Sequence, residues 1–206
     1  MKPFLFAILL CQACLYAAMT PDTALKNLVE GNQRFYQDKS LHPDRTGERR
    51  LELTAHQTPF ATIVGCSDSR VAPEIVFDQG IGDLFIVRVA GNVVGPIELD
   101  SIEYSVIYLH SSLILVLGHE NCGAVKAVVD GTTKDIEAVA ELIQPAAQAT
   151  QKDKKDRLEK TIKLNAKMVA EQLQKSPVLS KMIAEKKLSV VGGYYDFHTG
   201  KVELLK

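Results

Sequence analysis

The runs "TPFATIVGC", "DLFIVRVAGN" and "SSLILVLGHENC" are almost continuously apolar and rich in β-branched residues. A strand with one wet face alternates apolar and polar side chains. A strand that is apolar throughout has to be covered on both faces, which is the habit of parallel sheets packed between helices. Between the second and third runs, "IELDSIEYSVIYLH" spaces Ile97, Ile102, Val106 and Leu109 as the buried face of a crossover helix. Strand, helix, strand in that order is a βαβ unit, and such units take their ligands at the C-terminal ends of the strands. The expected fold is α/β, with a mostly parallel central sheet flanked by helices.

The flanking segments extend this plan. "TALKNLVEGNQRFY" spaces Leu25, Leu28, Val29 and Phe35 along one helical face, and the preceding "PD" is a start signal. After the third run, "AVKAVVDG" reads as a short helix, and Leu158, Ile162, Ala166, Val169 and Leu173 mark a longer one. Ser176 and Pro177 suit the cap and first position of a further helix, "PVLSKMIAEKK". "LSVVGGYYDFHTGKVELL" closes the chain as a strand pair joined at "HTG". The mixed-sign stretch "KDKKDRLEK" reads as a solvated helix face, and no internal repeat or low-complexity segment interrupts the pattern.

At 206 residues, one domain spanning residues 21–206 is expected. The 24 basic and 25 acidic residues leave no global field for nucleic acid or an anionic membrane. At the N-terminus, Lys2 precedes an apolar stretch from Phe4 to Ala18, too short for a membrane span and right for a secretory leader. The leader is expected to cover residues 1–18, or to 20, which places the mature chain in a periplasm or outside the cell. Cys11 and Cys14 fall within it, so Cys66 and Cys122 are the thiols left to the mature chain.

Those two cysteines stand at strand ends, in "CSDSR" and "HENCG". A disulfide between them is the simplest reading for an exported chain, but it needs neither Asp68 nor His119. Two sulfurs and one imidazole form a soft set suited to Zn2+, with a fourth position left for water or another protein ligand. Asp68 is either that fourth ligand or the partner of Arg70, two residues on.

"CSDSR", "RVAGN" and "GHENCG", in this order and at these separations, resemble a β-class carbonic anhydrase, and the similarity runs from about Thr23 to the end. The resemblance implies reversible hydration of carbon dioxide to bicarbonate and a proton by hydroxide carried on zinc. It implies Cys66, His119 and Cys122 as zinc ligands, Asp68 and Arg70 as the catalytic dyad, and Gln57, Phe85 and Tyr104 as the substrate pocket. It also implies a homodimer or higher oligomer whose site lies where two subunits meet, with the N-terminal helix packed across the partner. Carbon disulfide or carbonyl sulfide as substrate, or a non-catalytic zinc or thiol protein, are the competing readings. Some members hold bicarbonate at a second, non-catalytic site that uses a Trp three residues before the first zinc Cys. Ile63 stands there in this chain, while Arg88 and Tyr195 match other parts of that site.

Overall fold

The computed structural model describes residues 19–205, so the expected leader lies outside the described residues. In chain order the described elements are α1 (Pro21–Tyr36), α2 (Gly47–Glu52), β1 (Ala61–Gly65), α3 (Pro73–Val76), β2 (Leu84–Arg88), α4 (Pro96–Ile107), β3 (Leu113–His119), α5 (Gly123–Asp130), α6 (Glu137–Ala149), α7 (Arg157–Gln174), α8 (Pro177–Ala184), β4 (Ser189–Tyr195) and β5 (Val202–Leu205). The strands form one sheet in the order β2-β1-β3-β4-β5. The first four run parallel, and β5 returns antiparallel beside β4. Among the described residues no helix is long and apolar enough to cross a membrane.

Every residue of β1 and β3 is buried, as uninterrupted apolar strands require. Successive side chains leave opposite faces of the sheet. Ile63, Leu113, Leu115 and Leu117 join Leu28 of α1 and Phe77 on one side. Val64, Ile114 and Val116 join Ile102 and Val106 of α4 and Ala166, Val169 and Leu173 of α7 on the other. At a transfer value of ~25 cal/mol per Å2, such two-sided burial makes the central strands a substantial source of stability.

Most expected elements are present, with informative differences. Thr20 caps α1 through the Thr23 amide, and Ser176 caps α8 through the amides of Val178 and Leu179. Val29 of α1, expected on the buried face, is exposed; Ala24, Leu28, Gly31 and Asn32 are buried instead. Gly31 is required there, because a Cβ at this position would lie 1.8 Å from the Phe77 carbonyl oxygen. Ile97 is not part of the core face of α4 either, being 78% exposed. It precedes Ile102 by five residues, a rotation of about 140° at ~100° per residue, which turns it away from the sheet. Residues 152–156 of the charged stretch precede α7 rather than forming its face.

Strand order decides where a ligand can sit. From the central β1 the chain passes to β2 on one side, then crosses to β3 on the other and continues outward to β4. Connections therefore leave in opposite directions between β1 and β3, and a crevice opens at their C-terminal ends. Cys66 follows β1 there, and His119 is the last residue of β3.

Candidate metal centre

The three soft ligands meet at this crevice. One donor atom each from Cys66, His119 and Cys122 lies within 4.8 Å of the others, and all three residues are buried. Cys66 and Cys122 are free thiols. β1 delivers Cys66, the neighbouring β3 delivers His119, and Cys122 occupies the N-cap position of α5. The spacing of three between His119 and Cys122 is what one tight turn between strand and helix allows.

Each donor is oriented by the backbone. His119 Nδ1 lies 2.8 Å from the Glu120 carbonyl oxygen, which can only accept, so Nδ1 carries the hydrogen and Nε2 carries a lone pair. Nε2 is buried and has no hydrogen-bond partner among the described residues. The Gly91 amide donates to Cys66 Sγ at 3.3 Å. Gly91 reaches that position at φ 74°, where a Cβ would also meet Ile143 Cδ1 at 2.7 Å. Arg88 braces the following loop, its Nε donating to the Cys66 carbonyl at 2.9 Å and its Nη2 to the Asp68 carbonyl at 2.6 Å.

Asp68 and Arg70 form a pair beside the cluster. Arg70 Nε and Nη2 donate to Asp68 Oδ1 at 2.9 Å and Oδ2 at 2.7 Å, and the Arg70 amide also donates to Oδ1 at 2.9 Å. These bonds, led by the guanidinium, hold the Asp68 carboxyl well below the usual carboxylate range against the opposing effect of burial. Oδ2 lies 3.8 Å from His119 Nε2. In the sulfur pair, the neighbouring Cys122 thiol draws Cys66 down against the effect of burial. The same contact, followed by burial, pushes Cys122 up. A cation held by both sulfurs would take them as thiolates, displacing any proton between them.

An imidazole nitrogen buried without a hydrogen-bond partner costs free energy unless something satisfies it, and with two sulfurs it forms a set that could hold zinc. The sequence matches the carbonic anhydrase family model over residues 61–202. It is 40% identical over 191 residues to carbonic anhydrase 2 of Mycobacterium tuberculosis, covering 89% of this chain and 92% of that protein. The chain belongs to the β-class carbonic anhydrases. Identity to the carbonic anhydrase of Mycolicibacterium smegmatis is 39% over the same length, covering 89% of this chain and 93% of that protein. Among solved β-class carbonic anhydrases, CafA of Aspergillus fumigatus aligns with a TM-score of 0.71 at 27% identity, covering 90% of each chain. The Coccomyxa β-carbonic anhydrase in complex with acetazolamide aligns at 0.68 and 28%, covering 88% of this chain and 86% of that one.

Against the expectations for this carbonic anhydrase, the structure brings Cys66, Asp68, Arg70, His119 and Cys122 together and sets Phe85 back from them. Phe85 and Tyr104 face each other with ring centroids 6.4 Å apart. Phe85, however, pairs with Thr62, four residues before Cys66, which sets it roughly 13 Å back along the strand at ~3.3 Å per residue. Gln57 is exposed in the loop before β1, and Tyr104 is 46% exposed on α4. Of the residues matched to the second bicarbonate site, Ile63 is fully buried in the core and Arg88 is engaged with the two carbonyls. Tyr195 packs against Phe35 and Phe197. Glu120 and Phe197 reach the site although no spacing rule marks them. The available signals are a Glu directly after the candidate His and an aromatic inside the turn "DFHTG".

Proposed function

We propose that Cys66, His119 and Cys122 hold one Zn2+ per chain and that residues 21–206 form one domain catalysing reversible hydration of carbon dioxide to bicarbonate and a proton. The observation that carries the reading is the buried lone pair of His119 Nε2, set among two sulfurs and beside a carboxylate fixed by Arg70. Zinc supplies Lewis acidity at such a site and brings the pKa of a water it holds towards neutrality.

The chain's own groups do the remaining work. Asp68 Oδ2 points at the cluster and orients the attacking water by accepting its hydrogen. A carboxyl held so far below its usual range is a poor store for that proton, so the proton passes to solvent or buffer. Arg70 grips both carboxylate oxygens and keeps Asp68 from taking a ligand position. Cys66 and Cys122 bind as thiolates, the first supported by the Gly91 amide.

Phe85, Tyr104 and Gln57 supply the apolar wall and a polar contact for carbon dioxide. The setback of Phe85 from the cluster within one chain supports a homodimer or higher oligomer, in which a second copy lays its Phe85, Tyr104 and Gln57 across the crevice. Sedimentation of an active monomer at assay concentration would contradict this. The mature chain is assigned outside the cytoplasm, in a periplasm or secreted, on the support of the apolar leader. Finding the full-length chain in the cytosolic fraction contradicts that assignment.

The 40% identity to a protein named carbonic anhydrase favours carbon dioxide over carbonyl sulfide or carbon disulfide. The deciding experiment is metal analysis with a hydration assay on the purified chain, run beside both sulfur compounds. Stoichiometric zinc with carbon dioxide hydration supports the proposal. A zinc-free chain, or faster turnover of a sulfur compound, contradicts it.

A further inference from the structure

β4 ends at Tyr195, which pairs with His119 across the parallel ladder. The chain then turns back over the end of β3, with the Gly200 amide donating to the Asp196 carbonyl at 2.9 Å and the Thr199 amide to Asp196 Oδ1 at 2.7 Å. This turn sets the Phe197 ring against two site residues at once. Its centroid lies 5.4 Å from that of His119, at 42° between planes. The guanidinium carbon of Arg70 stands 4.4 Å from the same ring. Tyr195 meets the ring edge-on at 5.4 Å and limits its rotation.

Glu120 locks the arrangement. Its carboxylate accepts the Phe197 amide at Oε2, 2.9 Å away, and its Oε1 lies 3.2 Å from His198 Nε2. Its carbonyl is the partner of His119 Nδ1. One residue therefore fixes both the imidazole and the ring lying against it.

We propose that Phe197 is a positioning residue for the reaction, its aromatic face holding the Arg70 guanidinium in the orientation from which it grips Asp68. The physical need is plain. The Arg70 side chain is 54% exposed, and exposed ion pairs hold their geometry weakly because two long side chains must be immobilised against water. An aromatic face attracts a guanidinium through its quadrupole and stacks with its plane, so the fork is set before the carboxylate is engaged. Apolar bulk alone would fill the turn without doing this. The inference rests on the roles proposed above for Asp68 and Arg70.

The test separates electrostatics from shape. Phe197 is replaced by 4-fluorophenylalanine and then by pentafluorophenylalanine, which nearly keep the ring's outline while weakening and then reversing the charge of its face. Exchange of the Arg70 Nε hydrogen is read by NMR on the metal-free chain, and kcat, KM and zinc content on the loaded enzyme. The expected result is stepwise faster exchange and a stepwise fall in kcat, reaching about fivefold, the rate equivalent of a cation–π contact of intermediate strength. KM and zinc content stay constant. A flat series in both readouts overturns the proposal. Failure of the functional reading is visible separately, as a wild-type chain without zinc or hydration. Phe197→Leu provides the companion measurement: loss of Arg70 protection is expected, and wild-type exchange would likewise overturn the proposal.

Discussion

Asp68 and Asp78 are two carboxylates each gripped by an arginine, and they do opposite things. Asp78 has no exposed side-chain surface, and its oxygens accept from Arg34 Nε at 2.6 Å and from the amides of Leu41 and His42 at 2.9 and 3.0 Å. Burial alone would raise it, but those donors outweigh burial and hold it below the usual carboxylate range. The result ties α1 and the loop after it to the end of α3. Asp68 is also held low, yet its side chain keeps 15% of its surface exposed and lies 3.8 Å from a buried nitrogen without a partner. A structural carboxylate ends its own network; Asp68 borders an incomplete one. That contrast, rather than depressed acidity as such, marks the site.

The largest effect on the comparison is expected from Arg70→Ala. The freed carboxylate can swing towards Cys66, His119 and Cys122, so kcat/KM should fall on the order of a hundredfold, in line with losing one preorganised electrostatic contact. Zinc should remain bound, and the urea midpoint should move little, because the Arg70 side chain removed is 54% exposed and Asp68 keeps the Arg70 backbone amide as a donor. Unchanged turnover would show that the pair plays no part in the reaction.

Asp78→Ala should do the reverse. It strands Arg34 and two amides, and a loss of about 3 kcal/mol in unfolding free energy is expected, the low end for breaking a buried ion pair because Arg34 keeps some contact with water. Hydration by the remaining folded enzyme should stay close to wild type. A stability change under ~0.5 kcal/mol would erase the distinction between the two carboxylates.

The smallest effect is the acid limb. A carboxylate whose folded pKa is depressed contributes stability that is present above its unfolded pKa, ~3.9, and is lost as pH falls through the lower folded value. Denaturation followed below about pH 4 should therefore show a shallower loss for Asp78→Asn than for wild type. Parallel curves would mean that other groups dominate acid unfolding.

Much of this was legible in the sequence where the determining contacts are local. The β1 and β3 runs declare two-sided burial, and the spacing within "CSDSR" and "HENCG" puts dyad and ligands at strand ends. α6 is not among the expected elements; it buries Ala140, Ile143, Ala146 and Ala147 and contains Pro145, so small side chains and a helix breaker obscure its period. Ile97 was misplaced because a count of apolar residues ignored its angular offset on α4. Phe85 could be matched to a pocket by position, but its distance from Cys66 depends on strand register. Phe197 depends on register too, since only the pairing of Tyr195 with His119 carries the turn over the site.

Cys66, His119 and Cys122 are the residues proposed to hold the zinc on which hydration depends. Cys122→Ser tests this most directly, with zinc content and carbon dioxide hydration measured on the same preparation and folding checked by circular dichroism. The expected result is a folded chain that has lost both metal and activity, against a wild type carrying one zinc per chain. A folded variant with full zinc, or with wild-type hydration, would contradict it.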